Sequence, residues 1–153
     1  MLFALILHVL SAMVWVGGMF FAYMVLRPVV AGLLDLPQRL TLWARVLATF
    51  FPWAWLAVIT LLATGYGMLF LFYGGFAHAP IYVHLMQAVG IVMMLIFGHV
   101  YYSPFRRLQR AVAERDWQGG DLQLAQIRRL VGTNLILGLV NLAVAAGGRI
   151  LVV

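Results

Sequence analysis

Four apolar runs, near residues 2–26, 46–73, 81–102 and 130–151, constrain this chain more than any other feature in it. A helix rises about 1.5 Å per residue and the hydrocarbon core of a bilayer is about 30 Å thick, so each run is long enough to cross. Of the 153 residues, 65% are hydrophobic and 9% charged. One domain of this length cannot hide so much apolar surface from water, so its solvent is lipid. Lipid supplies no hydrogen bonds, and backbone that crosses it must satisfy itself as helix. The expected fold is therefore all-α: a single transmembrane domain, residues 1–153, built as a four-helix bundle in a bacterial-type inner (plasma) membrane. The first run lacks both a charged leader and a following small-residue cleavage site, and reads as a retained span rather than a signal peptide.

Arginine sets the expected orientation. All ten basic residues are Arg. The first connection holds Arg27, Arg39 and Arg45; the third, residues 103–129, holds Arg106, Arg107, Arg110, Arg115, Arg128 and Arg129. The second connection carries no charge, and Arg149 alone follows at the far end. The positive-inside rule puts connections one and three in the cytoplasm and both termini outside. The formal charge of +6 thus reflects topology, not nucleic-acid binding. Proline and glycine mark the expected breaks: Pro28 closes span one, Gly74–Pro80 turns between spans two and three, and Ser103–Pro104 ends span three. Gly119–Gly120 should split the third connection, with Asp121 capping the piece that enters span four. Trp43, Trp53, Trp55, Tyr73, Tyr82, Tyr101 and Tyr102 suit an interfacial aromatic belt.

With no cysteine, thiolate metal sites, iron–sulfur clusters and covalent c-type haem are excluded. No carboxylate lies in the spans, so hydrolytic acid–base chemistry has no source there. Histidine and methionine remain as metal ligands. His8, in span one, and His84, near the start of span three, fall at similar depth on different helices. His84 and His99 are separated by about 22 Å along one helix and cannot share an ion. Two imidazoles at one depth in a four-helix bundle suit the axial positions of a b-type haem. Trp15 and Gly18 would then shape the pocket, and Arg149 would meet the propionates. Copper is the alternative, with His8, His84, His78 and Met86 as candidate ligands, because imidazole and thioether suit Cu(I). Met86 lies about 200° around the helix from His84, so those two would not chelate one ion alone.

Stripes of small and polar residues should face one another, since lipid offers polar groups no partner. They are His8, Ser11, Trp15, Gly18 and Ala22 on span one; Thr60, Thr64 and Gly67 on span two; His84, Gln87, Ala88, Ile91, Leu95 and Gly98 on span three. Span four offers Asn134, Gly138, Asn141, Ala145 and Gly148. Asn134 and Asn141 are expected to be structural, hydrogen-bonding between helices. His99 would bond Asn134 or Tyr102, or carry a proton.

The stretches "HVLSAMVWVGGMFFAYMVLRP", "YVHLMQ" and "RRLVGTNLILGLVNLAVAAGGR" resemble the CopD-type copper-resistance membrane proteins across nearly the whole chain. More loosely, the arrangement is similar to HemJ-type protoporphyrinogen oxidases. The resemblance implies a four-helix membrane bundle with a histidine in span one and another at the start of span three. From the oxidases it implies haem b at His8 and His84; from the copper-resistance proteins it implies copper handling. The oxidases carry Lys two residues after the span-three His. Here that residue is Met86, and the Asn-Glu-Pro-like pattern of their last span is absent, Asn134 being followed by Leu135. Both departures argue against protoporphyrinogen oxidation.

The leading expectation is thus a redox protein holding one haem b near the outer face and passing electrons between a quinone or an outer redox partner protein and another acceptor. The alternatives are a copper-handling protein and a non-catalytic membrane subunit that packs in a larger complex or with its own copies.

Overall fold

In a computed structural model, the backbone is described for residues 2–151 and side chains through Gly148. Four rods carry the fold: α1 (Leu2–Leu33), α2 (Leu36–Phe72), α3 (Ile81–Glu114) and α4 (Trp117–Leu151). Each is long and apolar enough to cross a membrane, and no strand occurs among the described residues. The chain is an all-α, multi-pass membrane bundle, as its apolar runs require.

The rods outrun the apolar segments. Pro28 does not close α1. It follows a π-helical stretch, Phe21–Leu26, in which the Arg27 N–H reaches back five residues to the Ala22 carbonyl. The helix then continues through Arg27–Leu33. Ser103–Pro104 does not end α3 either: Tyr101–Phe105 is π-helical, and Arg106–Glu114 follows. A proline in an α-helix clashes with the carbonyl four residues back and donates no hydrogen bond. A local π-turn changes that register, so the rod bends instead of breaking.

The breaks are short. Leu34–Asp35 separates α1 from α2, and the Asp35 carboxylate caps α2 by accepting from Gln38 N–H at 2.9 Å. Arg115, in the left-handed region at φ 56°, ends α3. Asp116 then accepts from Gly119 N–H at 2.9 Å. The cap of α4 is thus Asp116 rather than Asp121, and Gly119–Gly120 lies inside the helix. The backbone donors that need a cap sit immediately after Asp116. Asp121 instead pairs with Arg39 at 3.6 Å.

α1 packs chiefly on α2, and α3 chiefly on α4. The buried core is concentrated toward the basic end, from Trp15, Ala54 and Met93 down to Leu40, Leu108 and Leu124. Rings fill its centre: Phe51 stands edge-on to Phe97 at 5.5 Å and Phe105 at 4.7 Å, and Trp55 packs on Phe97 at 5.0 Å. Several residues expected in the interfacial belt are recruited to this cluster; Trp43 is buried and Tyr101 packs against it, whereas Trp53 and Tyr102 stay exposed. Burial thins toward the opposite end: none of residues 2–14 and none of residues 81–92 is buried, although Leu69 is.

Candidate metal site

His8 lies toward the end of α1 remote from the arginines, and its surroundings come from α2. Thr64 Oγ1 approaches the Thr60 carbonyl at 2.6 Å. A carbonyl can only accept, so the single hydroxyl proton goes there. His8 Nδ1 sits 2.8 Å from the same oxygen and must donate its proton to it. That fixes the tautomer with the proton on Nδ1 and leaves the Nε2 lone pair free. Gly65 makes the approach close: a Cβ at that position would stand 3.3 Å from His8 Cε1. A hydrogen bond that orients an imidazole and sets its tautomer is the usual support of a metal-ligating histidine.

His84 has different company. Its ring stacks on Phe76 of the turn between α2 and α3, with centroids 6.3 Å apart and an angle of 20°. No contact joins it to His8. His78 lies in that same turn, in the one-turn 3-10 helix Phe76–His78, and Met86 is half-buried on α3. Among the described residues no three His, Cys, Asp or Glu side chains gather into a metal cluster. The side chain of Arg149 lies outside the described residues.

Trp15 and Gly18 belong to the bundle's interior rather than to the level of His8. Both line a cavity of about 30 Å3 on the bundle axis, with Met19, Phe51, Phe97 and Asn134. This holds about one or two waters, not a porphyrin. Gly18 gives Phe50 its place, since a Cβ there would collide with that ring. Among the described residues no hydrogen bond or ring contact brings His8 and His84 together as a pair, so the structure gives the haem reading no support.

The stripes meet only in part. On α4, Asn134 donates to Met19 Sδ at 3.7 Å, and Gly138 receives Val16 and Met93. Gly148 receives Tyr82, whose hydroxyl lies 3.2 Å from that of Tyr73. On α3 the expected stripe turns outward: Ala88, Ile91 and Leu95 are exposed, while Met93, Phe97 and Val100 face the core. The large ring and thioether of that second face fill the centre, which the small face could not. His99 is on the exposed side and bonds neither Asn134 nor Tyr102; the Asn134 amide is turned to Met19 instead. Asn141 is half-buried with its Oδ1 unpaired.

Two residues gain weight from this arrangement. Met19 and Met93 are the buried methionines, and they touch α4 one turn apart, at Asn134 and Gly138. Periodicity alone makes them packing residues; only their meeting on α4 distinguishes them from exposed Met13 and Met24.

The chain matches the family model for copper resistance protein D over residues 44–147. No curated protein and no solved structure matches it.

Proposed function

Since the chain belongs to the copper resistance protein D family, we propose that it handles Cu(I) within the membrane, with His8 Nε2 as its first ligand. The observation that carries this reading is the Thr60–Thr64–His8 chain, which leaves an oriented nitrogen lone pair at membrane depth. Copper here is cargo. A ligand for cargo must hold the ion and also release it, so a single well-aimed imidazole is better suited than a closed cage. Thioether and imidazole match Cu(I) in softness. Met19 and Met93, deeper along the bundle, supply the next sulfur donors. His84 and His78, at the same end as His8, are the candidates to complete the outer site.

The test is competition for Cu(I) between the purified protein and a chromogenic chelator. The wild type is expected to draw copper from the chelator and His8→Ala to lose that ability. Thr64→Val keeps the shape but leaves His8 without its acceptor. Its affinity should fall by about 10- to 100-fold, the usual effect of losing such a supporting partner. A wild-type protein that takes no copper ends this reading. A red preparation whose Soret band disappears in His8→Ala would replace it with haem.

A further inference from the structure

At the basic end, α2 and α3 part around a groove of about 380 Å3 that the copper chemistry does not use. Its volume falls in the range of small-molecule sites. Phe51, Tyr101 and Phe105 form a floor of mutually packed rings, with Phe51 4.7 Å from Phe105 and 5.8 Å from Tyr101. Arg106 and Gln109 stand at its exposed mouth. Arg106 comes directly after the π-turn, and its guanidinium is held over the rings of Tyr101 at 5.8 Å and Tyr102 at 5.4 Å. Among the described residues it has no carboxylate partner; the ion pair formed there is Arg39–Asp121. The opposite wall holds Pro52, which has no N–H to offer the Ala48 carbonyl one turn back. Ala48, whose carbonyl thereby lacks its usual helical donor, lines the same groove.

An apolar floor, a fixed cation, an amide and an orphan carbonyl describe an amphiphile with an anionic, hydroxyl-bearing head. The groove also lies where the apolar run of α3 gives way to Arg106, Arg107 and Arg110, at the depth of a lipid headgroup. We propose that this groove binds the headgroup of one anionic phospholipid of the phosphatidylglycerol type. The phosphate accepts from Arg106 and Gln109, a glycerol hydroxyl donates to the Ala48 carbonyl, and the acyl chains run along the rings.

The full chain, delipidated in mild detergent, is mixed with micelles containing phosphatidylglycerol or phosphatidylcholine, and retained lipid is counted by native mass spectrometry. One phosphatidylglycerol should remain per chain in preference to phosphatidylcholine. R106Q should weaken its retention about tenfold, the effect of removing one charge-assisted hydrogen-bonding partner, while R107Q should leave it unchanged. P52A returns an N–H to the Ala48 carbonyl. It should weaken phosphatidylglycerol but not phosphatidic acid, which lacks the glycerol head. Thermal unfolding of each variant without lipid checks that it is folded, and R106M, which keeps the length of the stem without its charge, repeats the test if R106Q is not. Equal loss in R106Q and R107Q, or no preference for phosphatidylglycerol, overturns the proposal. So does full displacement of the lipid by millimolar inorganic phosphate or by a soluble quinone, which would assign the groove to another ligand.

Discussion

Asn134 is the single polar residue in the buried set among the described residues, and its Oδ1 has no hydrogen-bond partner. Its amide N–H meets only a thioether, a weak acceptor. An unsatisfied buried carbonyl costs about 1–3 kcal/mol, so apolar replacement of similar shape should be near neutral or stabilising. Asn134→Leu is therefore expected to unfold at the same or higher denaturant concentration than the wild type. If it also loses copper, Asn134 serves the cargo rather than the fold. The threonines behave differently. Thr41, Thr49, Thr60 and Thr133 each donate to the carbonyl four residues back, and so need nothing from other helices. Thr64 does the same and, in addition, accepts from His8. Its presence in a polar stripe is visible in the sequence. That its lone pair, not its proton, is the part offered to α1 is decided only by the fold.

At the scale of the element, the prolines mark real events, but the wrong kind could be inferred from them. Pro28 lies just after one π-turn and Pro104 inside another, and these let α1 and α3 continue. A break at either would have ended the helix before Val30 and Leu108, both of which are buried. Burial of those side chains stabilises the continued rod. The real boundary between α3 and α4 is two residues long and depends on Arg115 and Asp116. Asp116→Ala should cost about 1 kcal/mol through loss of the cap. The corresponding change at Asp121 removes only a part-exposed ion pair with Arg39, expected to contribute at most about 1 kcal/mol. Chemical unfolding of the two variants, each compared with wild type, measures the difference.

Taken whole, the bundle buries most of its side chains toward its arginines and fewer toward His8. The charge distribution predicts connections one and three in the cytoplasm, and the absence of cysteine makes that orientation directly testable. Single cysteines at Leu34 or Arg115 should react with a membrane-impermeant maleimide only after the cells are opened. One at Ala77, exposed in the turn between α2 and α3, should react in intact cells. The reverse pattern would invert the bundle and bring the His8 end to the cytoplasm.

Four spans, an all-helical membrane fold and the segregation of Arg are determined by the sequence alone, because lipid forces them through hydrophobicity, backbone hydrogen bonding and charge. Helix partnership is a different matter. In lipid there is no strong hydrophobic force to tell one apolar face from another, and close packing of particular shapes decides. Tertiary structure therefore settled that α3 turns Met93 and Phe97 inward, that α1 and α2 bring His8 to Thr64, and that His84 goes to Phe76 instead.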